Sequence, residues 1–498
     1  MPDVMHIDWF ALAPELTLLA AALAVLFGDL VWEGTRKRLV NPVALVGVLG
    51  ALAWVVALAV DGQTRRAFGN MFVVDNYALL FKAFFLVTAA FVLLVSYRYL
   101  TSIRTYQGEY YFLVLAAFSG MLLMPSARDL VMIFIALELV SVPGFVMAGL
   151  RKFDLRSNEG ALKFFLIGVL SVAVLLFGLS IVYGFTGTTD LQGVAAALTD
   201  APREPLLLAS LLFVIVGFGF KVSAVPFHFW APDTYEGSPV PVAAFLSVAS
   251  KAAGFAGLLQ ICFVAFQPLA DVWAPILGII AVLTMTLGNL TALQQRNVVR
   301  MFAFSSIAHA GYMLVPFGLV RAAEGDAVVA AVNSQAFAAV LIYLLAYAVM
   351  NVGAFAVVTA MAGEHPGRQT TDYAGLGQRN FVLAAGLTVF LVSLGGVPPV
   401  VGFWAKFFVI SAAVSMGTPF AYFLASAVVV NAVLSMFYYL SIVRTMWMDA
   451  PTETAPVRPG YGLSFTVSAL ALVAIGVFFA PDLFANAAQL STLVGAGP

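Results

Sequence analysis

Gly217 to Lys251 reads GFGFKVSAVPFHFWAPDTYEGSPVPVAAFLSVASK, and the fold turns on this stretch. It opens inside an apolar run that carries Lys221, then breaks at Pro226, with His228, Pro232, Asp233 and Glu236 following. Ser238 and Pro239 have the chemistry of a helix N-cap and a first helical position. They predict a new helix with Lys251 at its centre. A charged residue at bilayer depth costs about 2.5–3.5 kcal/mol on insertion scales. Two lysines on consecutive apolar helices, with an interrupted helix between them, are therefore costly features that point to ion handling. Lysine suits protons in particular, because burial lowers its affinity for a proton toward neutral pH.

The composition agrees. Of 498 residues, 62% are hydrophobic and only 10% are charged, and the mean hydropathy is +1.00, values that belong to a polytopic membrane protein. A net charge of −1 excludes nucleic-acid binding through bulk electrostatics. The single cysteine, Cys262, leaves no disulfide framework, thiolate zinc site or iron–sulfur cluster held by this chain alone. His6, His228, His309 and His365 are scattered, and a bis-histidine haem would require His228 and His309 to meet. The opening residues lack a basic run, so no cleaved signal peptide is expected.

Outward from the central stretch, apolar runs long enough to cross a bilayer lie at about 9–32, 41–60, 77–98, 109–125, 129–150, 160–185 and 205–230. They continue at about 240–266, 271–292, 298–320, 330–361, 381–415, 419–447 and 460–481. The reading is an all-α polytopic membrane protein of about fourteen transmembrane helices forming one membrane domain over 1–498. Residues 187–204 read as a connecting loop. If the N-terminus faces outward, 14 of the 24 Lys and Arg residues fall in inner loops and 5 in outer ones. The bias predicts that both termini face outward, on the periplasmic side of a bacterial inner membrane.

The two halves echo each other. Phe220 to Pro232, FKVSAVPFHFWAP, interrupts span seven, and Leu394 to Phe407, LGGVPPVVGFWAKF, interrupts span twelve. Paired Gly/Pro-broken hydrophobic segments are a sequence sign of internally repeated transporters. An offset of five helices reverses orientation, so two inverted five-helix repeats are expected, at about 109–266 and 271–447.

The other intramembrane charges fit this frame. Glu138 lies nine residues into its span, roughly 14 Å along a helix. No other charge lies near it in sequence, and Lys221 is its expected partner. Lys251 and His309 are also central, Lys406 follows the second break, and together they form a candidate proton path. His309 exchanges protons near neutral pH without a large shift. Each has a plainer reading, since an intramembrane lysine also snorkels or pairs structurally and a lone histidine is often core. Snorkelling is the expectation for Lys82. Lys163 is a further candidate for the path, although it sits one turn after Glu159, so an i,i+4 pair accounts for part of it. His228 either joins the path or lines the break. Tyr343, Tyr347 and Asn351 share one helical spacing and either hydrate the path or bond helix to helix.

At these residues the chain resembles the antiporter-like membrane subunits of respiratory complex I, the proton-pumping NADH–quinone oxidoreductase. The stretch from Phe220 to Lys251 carries the resemblance, with ELVSVPGF around Glu138 and SSIAHAGY around His309. The family implies fourteen helices, inverted five-helix repeats and broken helices seven and twelve. Its helix-five glutamate carries over to Glu138, its helix-seven and helix-eight lysines to Lys221 and Lys251, and its helix-twelve site to Lys406. Lysine in GFWAKF is similar to the subunit N branch, whereas the subunit M branch has glutamate there and the subunit L branch has a long C-terminal extension. The resemblance implies a proton-translocating subunit that holds no cofactor itself. NADH, FMN, iron–sulfur clusters and quinone would be bound by partner subunits, alongside antiporter-like paralogues, small membrane subunits and lipid. The same superfamily contains Mrp-type Na⁺/H⁺ antiporter and membrane-bound hydrogenase subunits, which form the alternative.

Overall fold

The computed structural model describes residues 7–103, 107–199, 203–322, 327–362, 368–451 and 455–490. His6, Arg104, His365 and both chain ends lie outside them. The apolar runs all become helices. They are α1 (Ala13–Val31), α2 (Val40–Asp61), α3 (Asn76–Ile103), α4 (Gln107–Leu123), α5 (Leu130–Ala148) and α6 (Leu155–Thr186). After these come α7 (Leu191–Thr199), α8 (Pro205–Val222), α9 (Trp230–Gly237) and α10 (Val240–Ala265). The rest are α11 (Ala270–Ala292), α12 (Val298–Leu314), α13 (Ala327–Ala362), α14 (Phe381–Gly395), α15 (Val401–Met416), α16 (Pro419–Met448), α17 (Tyr461–Phe479) and α18 (Asp482–Leu490). Among the described residues thirteen helices are long and apolar enough to span a membrane, and the shorter α14 and α15 together make one more pass. That gives the fourteen passes expected. The ends are set locally: Asp129 accepts the Val131 and Met132 amides at the start of α5, and Asn297 accepts the Arg300 amide in α12.

Two local readings are corrected. Residues 187–204 contain a helix, α7, which buries Leu191, Val194 and Leu198 along one face and so docks a segment too short to cross the membrane. Ser238 is no N-cap: its hydroxyl donates back to the Tyr235 carbonyl at 3.4 Å, and α10 starts at Val240 without a side-chain cap.

The breaks lie where the prolines predict. The first separates α8 from α9, with Ser223 left-handed at φ 59° and a cis Val225–Pro226 bond. The second separates α14 from α15, with Gly396 at φ 85° and a cis Pro398–Pro399 bond. Inside a bilayer, backbone groups freed by a break need protein partners. Trp230 Nε1 donates to the Phe220 carbonyl at 3.1 Å, and Val225 N donates to Thr284 Oγ1 at 3.0 Å. At the second break Gly402 N donates to Ser393 Oγ at 3.0 Å.

Burial sorts the helices into an inner and an outer set. The apolar stretch of α10 is buried throughout, that of α12 to 94% and that of α13 to 83%. In α1, α2, α6, α16 and α17 the figure is 28–33%, so most of their apolar surface lies on the outside of this chain. The three enclosed helices carry Lys251, His309, Tyr343 and Tyr347. Close packing holds α12 in place: a β-carbon on Gly311 would lie 2.5 Å from the Met285 amide nitrogen of α11, and one on Gly288 2.6 Å from that of Ala308. Small residues let membrane helices approach backbone to backbone in this way.

Gly311→Leu is expected to lower the stability of the assembled protein by about 1–3 kcal/mol or more, because the neighbour is backbone and cannot yield. Gly184→Leu, where a β-carbon meets nothing within 4 Å, should leave the thermal unfolding midpoint unchanged. Thermal unfolding in mild detergent compares the two.

Candidate functional site

Each buried lysine in the middle of the protein bonds a polar group on another helix. Lys221, in the last turn of α8 and 3% exposed, donates to Ser141 Oγ of α5 at 2.9 Å. The Ser141 hydroxyl in turn donates to the Leu137 carbonyl at 2.7 Å, which leaves its lone pairs toward the ammonium. The expected Glu138–Lys221 pair is therefore not a direct contact. Among the described residues no ion pair joins them, and Glu138 Oε1 is buried without a hydrogen-bond partner. Ser141 lies one turn beyond Glu138 on α5 and takes the place nearest the lysine, while the two charges remain within electrostatic reach.

Lys251, also 3% exposed, follows a π-helical turn at Leu246–Ser250. Its ammonium donates to Ser306 of α12 twice, to the carbonyl at 2.8 Å and to Oγ at 2.6 Å. One turn along the same helix, His309 uses both ring nitrogens, Nδ1 with Tyr343 OH at 2.8 Å and Nε2 with Tyr439 OH at 3.2 Å. Tyr347 lays its ring on the imidazole at 5.1 Å between centroids. Tyr439 also bonds Ser305 Oγ, which closes the group around α12.

Lys406 stands on α15 and reaches back over the second break. It donates to the carbonyls of Leu394 and Gly395 at 2.9 and 2.8 Å, the last turn of α14. A cation suits that position, where the dipoles of the helix end present partial negative charge. Its ammonium also lies 5.0 Å from the centre of the Tyr312 ring, one helical turn beyond His309. The space exists because Gly396 has no side chain: a β-carbon there would sit 2.7 Å from Lys406 Cδ.

The sequence-predicted residues thus divide. Lys251, His309, Tyr343, Tyr347 and Lys406 gather around α12, while Lys221 and the half-buried Glu138 stand near each other where α8 meets α5. Asn351 bonds helix to helix, donating to Ser247 Oγ at 2.8 Å. His228 sits buried in the first break beside Phe229, its Nδ1 without a partner, and does not touch His309. Lys163 lies elsewhere. It is 41% exposed and pairs with Glu159 and with Asp233, each at 2.6 Å. Asp233 also meets Arg300 at 2.7 Å, and Arg300 meets Glu236 at 2.9 Å, so a surface ion network ties α9 to α6 and α12.

Ser141, Ser306, Tyr312 and Tyr439 were not picked out from the sequence. The first three had a signal: each lies three residues from Glu138 or His309 on the same helix, a spacing that shares one face. Tyr439 had none, because it comes from α16, 130 residues away.

Among the described residues no group of three or more His, Cys, Asp or Glu is arranged to hold a metal. Residues 127–435 match the family described as "NADH:quinone oxidoreductase/Mrp antiporter, TM". The chain belongs to this family. It is 41% identical to NADH-quinone oxidoreductase subunit N 2 of Streptomyces griseus subsp. griseus, over 94% of this chain and 87% of that one. It is 38% identical to NADH-quinone oxidoreductase subunit N of Trichlorobacter lovleyi, over 96% and 95%. A chain in a structure of respiratory complex I from Thermus thermophilus with bound aureothin superposes with a TM-score of 0.77 at 32% identity, over 97% of this chain and all of that one. The fold and the branch that the sequence suggested agree with these likenesses.

Gly396→Ala tests the packing at the second break. The new methyl group meets Lys406 Cδ, and the left-handed backbone disfavours it, so the lysine should leave the Leu394 and Gly395 carbonyls at a cost of roughly 1–3 kcal/mol. A structure at side-chain resolution reads the displacement directly.

Proposed function

We propose that this chain is a proton-translocating membrane subunit of an NADH–quinone oxidoreductase, and that Glu138, Lys221, Lys251, His309 and Lys406 carry the protons. The observation that carries the reading is the set of polar contacts made by the buried charges: Lys221 of α8 to Ser141 of α5, Lys251 of α10 to Ser306 of α12, His309 of α12 to Tyr343 and Tyr439, and Lys406 of α15 beside Tyr312. Each charge moved against 100 mV requires about 2.3 kcal/mol. Discrete sites that hold and release a proton meet that load, whereas an open water file would leak.

In this reading Glu138 stands close enough to bias Lys221 without being locked to it. When the two separate, the lysine loses its compensating charge and gives up a proton more readily. Ser141 keeps the ammonium in place meanwhile. The proton passes by Lys251 and His309 toward Lys406, which the last turn of α14 holds ready. Lys163, paired on the inner face, steadies α9, while His228 lines the first break. NADH, FMN, iron–sulfur clusters and quinone belong to partner subunits, and other antiporter-like and small membrane subunits flank this one within the lipid. The location is a bacterial inner membrane with both termini periplasmic, and the inverted repeats run over about 109–266 and 271–447 of a single membrane domain spanning 1–498.

The test uses the purified complex in liposomes. Lys221→Ala and Glu138→Gln should lower proton uptake per NADH oxidised while the complex stays assembled. Ser141→Ala leaves a buried ammonium short of one acceptor, worth about 1–3 kcal/mol, and should slow pumping roughly 5–150-fold. Normal pumping in assembled Lys221→Ala complex would sink the assignment. Transport driven by an ion gradient with no NADH oxidation would favour the antiporter alternative.

A further inference from the structure

A second buried acid–base pair lies outside the central path. Lys82 of α3 was expected to snorkel, yet it is fully buried. Phe72 covers its ammonium, 4.7 Å from the ring centre, under the hairpin of β1 (Arg65–Ala67) and β2 (Phe72–Val74). Its Nζ lies 2.7 Å from Oε1 of Glu15 on α1, whose side chain is 9% exposed. Beyond this ion pair, no further side-chain hydrogen bond reaches Nζ or either carboxylate oxygen among the described residues.

The neighbouring pair is satisfied by contrast. Arg128 meets Asp75 at 2.6 Å and also bonds Gln260 at 2.6 Å and the Pro125 carbonyl at 2.8 Å. Asp75 and Arg128 are the charged groups within reach of Lys82, with the Tyr77 ring 5.8 Å from the guanidinium. The starts of α1 and α3, the α4–α5 turn and the end of α10 share one side of the membrane, the side the charge bias assigns as outer. Gln260 lies nine residues past Lys251 on α10, about 14 Å along the helix. Tyr77 OH ties the same stretch to α3 by donating to the Ala256 carbonyl at 2.7 Å.

Taking two ions out of water costs several kcal/mol each, recovered only when further hydrogen bonds complete the pair, and packed apolar residues often serve stability as well or better. The Glu15–Lys82 pair lacks those bonds, so stability alone does not account for it. We propose that Glu15, held beside Lys82, is a proton-holding site between the outer end of α10 and the outer surface. One proton taken up on the unbonded Glu15 oxygen gives a neutral carboxyl beside the ammonium, and its loss restores the ion pair. The proposal rests on the proton-moving reading above.

Infrared difference spectra of the assembled complex between acid and alkaline pH read the site without turnover. The expected result is a buried carboxyl C=O band that is present in the parent and lost in Glu15→Gln. A second measurement takes protons moved per NADH in liposomes for Glu15→Gln and for the apolar double variant Glu15→Met/Lys82→Met. Both are expected to fall while assembly and electron transfer persist. A band unchanged in Glu15→Gln overturns the proposal, as does a double variant that pumps at the parent ratio, since the pair would then be structural. Lys221→Ala runs alongside: if it pumps normally the central path is wrong, while the carboxyl band still decides Glu15.

Discussion

Lys251 donates two hydrogen bonds to Ser306 across the interface of α10 and α12, the two most enclosed helices of the protein. No lipid-facing position offers an ammonium such partners, and no water reaches it in bulk. A charge at this depth is tolerated only where another helix brings oxygen to it. The same constraint recurs at Lys221 with Ser141, at Lys406 with the end of α14, and at His309 between two tyrosines. These contacts tie the enclosed helices α10 and α12 to their neighbours through oxygen atoms at the depth of each charge.

The two breaks follow from that constraint. Unwinding a helix in the membrane frees backbone groups, and the protein supplies partners from nearby: the Trp230 indole and the Thr284 hydroxyl at the first, Ser393 and Lys406 at the second. Lys406 thus has two duties, since it satisfies carbonyls of the interrupted helix while standing beside the aromatic group around His309. Moving it means loosening the break. The charge and the backbone of the break are therefore held together.

Tight packing supplies the rigidity against which such changes register. Gly288 and Gly311 let α11 and α12 touch backbone to backbone, so Ser306 and His309 are presented from a helix that has little room to shift. At the surface, Asp233 and Glu236 of α9 are anchored by Lys163 and Arg300, which fixes α9 against α6 and α12.

Hydropathy by itself determined the fourteen passes, because a bilayer demands long apolar helices wherever the chain crosses it. Pro226, Pro398 and Pro399 marked the breaks, since proline removes an amide and cannot continue a helix. The depth of Glu138, Lys221, Lys251, His309 and Lys406 could be counted along their spans. What those groups touch could not. Lys221 meets Ser141 in place of Glu138, His309 meets Tyr439 from 130 residues away, and Lys82 is buried against Glu15 where snorkelling was expected. Helical periodicity states which face a residue occupies and not which helix lies opposite. That choice belongs to the packing of all the helices together, so only the tertiary structure decided it.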